Sequence, residues 1–220
     1  MDEGAGKTGK SRENGLSSAE LITAFITLLV IIDPIGLAPL FVALTKGEDA
    51  ARRRGIAIRA TLISLGLLVL FGLLGEAVLG FAGISLPAFR IAGGILLFLT
   101  ALDMLFERRT KRRKGQANSE NDPSVFPLAT PLIAGPGSIA TIILLTGNAG
   151  DDWAAIGAIM LVLLAVMTLV FLFFLSAGFI ERGLGNTGTN VVTRLLGMLL
   201  AALSVQFVID GITAVNWLGT

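Results

Sequence analysis

Residues 31–40 read IIDPIGLAPL and lie inside an otherwise apolar stretch that runs from Leu21 to Thr45. A helix of that length crosses a bilayer, whose hydrocarbon core needs ~20 residues. The acid and the two prolines are therefore the informative residues. Pro34 has no N–H and crowds the carbonyl four residues back, so a regular helix does not pass through it easily. The residue before a proline is pushed toward extended backbone, which ends a first half-helix near Ile32. Asp33 is also a favoured N-cap and Pro34 a favoured first helical residue. The stretch reads as two half-helices meeting near mid-bilayer. The second runs from Pro34 to Thr45, with Pro39 inside it.

A second stretch, PLIAGPGSIA at 131–140, has the same grammar. Gly135 can end a helix with positive φ and Pro136 can begin the next. Gly137 admits close backbone approach and Ser138 brings a hydroxyl. Pro127 and Pro131 make the preceding turns irregular. Broken backbone at membrane depth persists where it is buried in protein or lines a water-filled cavity. The two breaks are expected to face each other across one cavity.

The whole composition agrees with a membrane setting. Of 220 residues, 54% are hydrophobic and 15% charged, with a mean hydropathy of +0.82; soluble domains carry about 25% charge. The net charge of +1 points to no nucleic-acid partner. With neither Cys nor His in the chain, disulfides, thiol relays, Cys/His zinc sites and imidazole proton shuttles are excluded. Nothing suggests a metal or organic cofactor.

Hydropathy predicts an all-α integral membrane protein with six spans: Leu21–Thr45, Ile58–Phe81, Leu86–Phe106, Phe126–Thr146, Trp153–Ile180 and Val191–Trp217. A polar tail, 1–18, is expected to be disordered and the apolar run after it to be a retained span rather than a cleaved signal. Lys46 and Arg52–Arg54 follow span 1, Arg108–Lys114 follow span 3, and Arg182 follows span 5. The positive-inside rule puts these loops in the cytoplasm and both termini on the outer face of a bacterial inner membrane, with Trp153 and Trp217 at the outer interface. The 107–124 segment is read as a basic cytoplasmic linker.

An internal repeat is expected. Arg90 laid on Arg194 brings Gly93 onto Gly197 and Thr100 onto Ser204, and Pro34 falls against Pro136 at nearly the same offset. Halves 19–106 and 125–220 hold three spans each, an odd number, so the second enters from the opposite side. Such inverted repeats, with Gly/Pro-interrupted segments at matching positions, are typical of secondary transporters. Spans 1 and 4, broken or re-entrant, fit that pattern. Outside the breaks, Glu76 and Arg90 are expected to pair at the outer edge, and Gly80, Gly83, Gly93 and Gly94 to permit close helix packing.

The candidate binding residues are Asp33, Pro34, Gly36, Gly135, Pro136, Gly137, Ser138 and Thr141. Half-helix N-termini suit a carboxylate, and Asp33 suits an ammonium group, H⁺ or Na⁺. Hydroxyls from Ser138, Thr141 and Thr45 complete a site for a small zwitterion such as glycine or alanine. The blander readings are Asp33 as a plain cap, which the residual cost of a buried acid disfavours, and Ser138 as a turn residue bonding backbone.

The motifs DPIGLAPLFVALT (33–45) and FPLATPLIAGPGSIATIILL (126–145) resemble the MarC family of bacterial inner-membrane proteins, also called the neutral amino acid transporter family, within a wider LysE-like exporter group. The resemblance covers Leu21 to Trp217. It implies six spans and transport of small neutral amino acids, with Asp33, Pro34, Gly36 and Pro39 as one motif and Gly135–Ser138 as the other. The leading expectation is a non-enzymatic secondary transporter in contact with membrane lipids, with room for a homo-oligomer. A membrane enzyme acting on lipid phosphates is the alternative, disfavoured by one acid and no arginine at site depth. A non-transporting partner or sensor protein is a third class.

Overall fold

The computed structural model describes residues 16–106 and 122–215. The N-terminal cations, most of the 107–124 linker with its Arg108–Lys114 cluster, and Trp217 lie outside the described residues, as does the Arg182 side chain. The described chain is helical, without strands: α1 (Ser18–Ile32), α2 (Pro34–Leu44), α3 (Ala50–Phe81), α4 (Leu86–Leu105), α5 (Ser124–Ile133), α6 (Pro136–Ala149), α7 (Trp153–Leu175) and α8 (Ala177–Ala214). Five stretches are long and apolar enough to cross a membrane, or six if the bent pair α5–α6 counts as one span.

Besides α2, four helices open on a polar side-chain cap. Ser17 and Glu20 form a reciprocal capping box at α1, the Ser17 N–H donating to Glu20 Oε2 at 2.8 Å. Asp49 accepts from Arg52 N at 2.7 Å, Ser85 from Ala88 N at 3.4 Å, and Asp152 from Ala154 N and Ala155 N at 3.0 and 3.1 Å. Each cap satisfies first-turn amides that have no partner within the helix. The cap at Asp49 corrects one expectation. Arg52, Arg53 and Arg54 stand on the first turns of α3 rather than in a loop, because a helix continues past its apolar part when capped.

The segment between spans 5 and 6 is also helical, where a loop was expected. α8 begins at Ala177 and passes through a kink at Gly185, whose φ of 61° and ψ of −178° suit glycine alone. Its apolar part is Thr187–Ala214. Across the bundle, α4 and α8 pack backbone to backbone. A Cβ at Gly94 would lie 2.8 Å from Ser204 O and one at Gly197 3.3 Å from Ala101 O, while Gly211 meets Pro87 O at 3.0 Å. Small residues at a seam let apolar helices approach closely enough for dispersion to hold them. Gly80 and Gly83 play no such part, having nothing within 4 Å. The expected Glu76–Arg90 pair does not form either. Arg90 Nη2 donates to Asn148 Oδ1 instead, and Glu76 is exposed, because helix register turns the acid away. Phe81, Phe179, Leu161 and Leu62 point outward, as lipid-facing side chains do.

Candidate functional site

Asp33 closes α1 and opens α2 with no residue between them. Its N–H donates to Leu29 O at 3.0 Å and its carbonyl accepts from Leu37 N at 3.0 Å. The backbone is left-handed, φ 55° and ψ 64°, where the residue before proline was expected to be extended. Asp tolerates this region because its short side chain bonds the local backbone, and here Oδ1 accepts from Gly36 N at 2.9 Å. Gly36 is required by that bond: a Cβ would lie 2.8 Å from Asp33 Cγ and closer still to Oδ2. Asp33 is wholly buried.

The second interruption uses the same positions with donor and acceptor exchanged. Gly135 caps α6 and Pro136 follows at the first helical position. Having no side chain to accept with, Gly135 donates its own N–H to Ser138 Oγ at 3.0 Å, and that hydroxyl donates to Ile133 O at 2.6 Å. A capping box carries both bonds at once; each interruption here carries one of them. Gly135 has φ −94° and ψ 174°, not the positive φ expected, because Pro136 drives it to extended backbone. Glycine is required for space instead, since a Cβ would collide with Pro131 O. Upstream, α5 has the wide π spacing, with Phe126 and Thr130, each before a proline, in extended backbone. α5 and α6 meet at a bend of 55°.

The two interruptions meet in direct packing rather than across an open cavity. A Cβ at Gly137 would lie 3.6 Å from Ile31 Cγ2, 3.3 Å from Leu97 Cδ2 and 3.5 Å from Thr100 Oγ1. Thr141, one turn further along α6, is fully buried and its Oγ1 has no hydrogen-bond partner. Pro34 is buried and Gly36 half-buried. Thr45, expected to add a hydroxyl, lies at the far end of α2 and bonds back to Phe41 O at 2.7 Å. Sequence reasoning missed the residues that join the two stretches, Ile31, Leu97 and Thr100. Only the glycine at 137, small enough to admit them, signalled such a junction. It also missed a cavity at the far end of α2.

These features define an α-helical integral membrane protein with five or six candidate membrane-spanning helices. The chain belongs to the MarC family of integral membrane proteins, whose family model matches residues 18–216. It is similar to a UPF0056 membrane protein of Methanocaldococcus jannaschii, 39% identical over 198 residues, covering 87% of this chain and 95% of the relative. It is likewise similar to the UPF0056 inner membrane protein YhgN of Escherichia coli K12, 35% identical over 193 residues, covering 88% and 96%. The UPF0056 membrane protein YvbG of Bacillus subtilis is 37% identical over 199 residues, covering 87% and 93%. No solved structure matches the chain.

Proposed function

We propose that this protein is a secondary transporter of a small neutral solute, glycine or alanine being the expected class, bound near the membrane midplane between the Asp33 and Gly135–Ser138 interruptions. The observation that carries the reading is the packing of Gly137 against Ile31, beside a wholly buried acid. A carboxylate at the bilayer centre costs ~2.5–3.5 kcal/mol on the insertion scale, and a cap offsets about 1 of that. The remainder favours a charge retained for use, binding the solute's ammonium group or a coupling H⁺ or Na⁺. The half-helix N-termini suit the solute's carboxylate, and Thr141 Oγ1 offers a buried hydroxyl with hydrogen-bonding capacity to spare. Ser138 acts as a shape-maker, its hydroxyl being committed to backbone. Asp33 and Thr141 are both 0% exposed, so the conformation described corresponds to an occluded step of the cycle.

The proposal includes two inverted halves, 19–106 and 125–220, with both termini outside and the basic 107–124 linker in the cytoplasm. The exchanged caps support it, since Asp33 and Gly36 correspond to Gly135 and Ser138 when Pro34 is laid on Pro136. The α4–α8 seam supports it as well. Laying Arg90 on Arg194 relates the contacts of Gly94 with Ser204 and Val208 to those of Gly197 with Ala101 and Met104, to within one residue. Reciprocal contacts are what a two-fold axis produces.

The test is uptake of radiolabelled glycine and alanine into proteoliposomes under imposed H⁺ or Na⁺ gradients, with Asp33→Asn alongside. Gradient-driven uptake lost in the variant is expected. No uptake of either amino acid under either gradient, from protein with a native helical spectrum, overturns the reading.

A further inference from the structure

At the end of α2 remote from Asp33, a cavity of about 400 Å³ lies among Phe41, Ala50, Arg53, Arg54, Phe174 and Phe179. It is large enough for a small ligand or a head group. Its floor is two buried rings, Phe41 and Phe174, stacked with centroids 4.6 Å apart and planes 12° from parallel. The Arg53 guanidinium stands 6.0 Å over the Phe41 ring, which orients the cation without neutralising it.

Charge balance here is uneven in a telling way. Four arginines stand on the first turns of α3. Arg52 pairs with Glu48 at 3.0 Å and Arg59 with Asp122 at 2.8 Å. Arg53 and Arg54 form no ion pair among the described residues, and they are the two that line the cavity. Ala50, the first residue of α3, also lines it, beside the helix end that the Asp49 carboxylate caps. A topology signal requires positive charge on this side of the membrane, but it does not require guanidiniums without an ion pair among the described residues to gather on an aromatic floor.

We infer that this cavity binds the phosphodiester head group of an anionic phospholipid. Two guanidiniums offer the forked donors that phosphate oxygens accept. A lipid is favoured over a soluble phosphate ester by the rim, where Phe179 and Leu175 are 78% and 47% exposed and offer apolar surface to acyl chains. The site is independent of the transport reading, and its test needs no transport.

The test is native mass spectrometry of the purified protein titrated with phosphatidylglycerol, with phosphatidylcholine and with glycerol 3-phosphate. Native protein is expected to retain phosphatidylglycerol in preference to phosphatidylcholine. Arg53→Gln with Arg54→Gln weakens that binding by roughly fivefold per arginine, about 25-fold for the pair, whereas Arg52→Gln changes it less than twofold. Should the double variant not fold, Phe179→Ser at the exposed rim is expected to weaken phosphatidylglycerol several-fold. Equal phosphatidylglycerol binding by native and double-variant protein overturns the inference, and so does an equal loss in Arg52→Gln, which would mean diffuse attraction. Displacement of the lipid by millimolar glycerol 3-phosphate also overturns it, assigning the cavity to a soluble ester.

Discussion

Replacing Thr141 with valine exchanges a hydroxyl for a methyl at a position with no exposed surface. Because Thr141 Oγ1 has no hydrogen-bond partner, the substitution breaks no bond and removes a buried polar group. An unsatisfied buried group costs ~1–3 kcal/mol. The unfolded chain of a membrane protein stays in an apolar medium, so the lower end, about 1 kcal/mol, applies. For a chain of this size that corresponds to a rise of about 2–4 °C in the unfolding midpoint. Differential scanning fluorimetry in a mild detergent measures it. Thr141→Ser, which keeps the hydroxyl and loses a methyl, should destabilise by about 1 kcal/mol and lower the midpoint by about 2–4 °C. If the hydroxyl also meets the solute, Thr141→Val lowers uptake about tenfold, the worth of one hydrogen bond. A midpoint that falls in Thr141→Val refutes the premise, since it means that the hydroxyl is bonded in the folded protein. A raised midpoint with unchanged uptake removes Thr141 from the solute site.

Asp33→Asn keeps an oxygen for the Gly36 N–H, so its helical content should match the native protein while gradient-driven uptake is lost; native uptake would take the charge out of the mechanism. Gly36→Ala drives a methyl into the Asp33 carboxylate and should destabilise by at least ~1 kcal/mol through the lost cap. Gly80→Ala, facing open space in α3, should stabilise by up to ~1 kcal/mol; the same denaturation series compares the two, and equal effects would disprove the steric account. Asp122 accepts from the Ser124 hydroxyl at 2.7 Å and the Ser124 N–H at 3.0 Å, beside Arg59, and these hold its carboxyl below the ordinary 3.8. A depressed value contributes stability above the unfolded pKa, about 3.9, that is lost as pH falls through the folded one. Asp122→Asn should therefore be less stable than native protein at pH 6, with the gap closing below about pH 4; a gap independent of pH counts against it.

The helical, membrane-spanning character was legible because it rests on composition and on long apolar runs. The helix boundaries at Asp33 and Gly135 were legible because proline acts locally, through its own missing N–H and its own ring. What was misread depended on competition or on register. At Asp33 two local rules conflict, and the side-chain bond to Gly36 prevails over the extended preference that proline imposes. Hydropathy excluded Arg52–Arg54 from α3, since it measures apolarity and not where a helix starts. Gly80 and Gly94 look alike in sequence, yet Gly80 faces open space and Gly94 meets Ser204, a difference set by which neighbour each helix face meets. The Arg53–Arg54 cavity was invisible for the same reason, its walls coming from α2, α3, α7 and α8.

The absence of any linker residue between α1 and α2 has a mechanical consequence. The eleven residues of α2 form a lever, with Pro39 inside it, pivoted on the φ and ψ of one amino acid. Phe41 lies ~12 Å along that lever at 1.5 Å per residue, so a swing of ~10° at Asp33 carries its ring by about 2 Å. That is nearly half the 4.6 Å that separates Phe41 from Phe174. A fluorine label on Phe41 should therefore shift its resonance in Asp33→Asn, and an unmoved resonance would mean that the lever is clamped. Where the lever is free, re-seating one carboxylate at its fulcrum opens or closes the stacked rings at its tip.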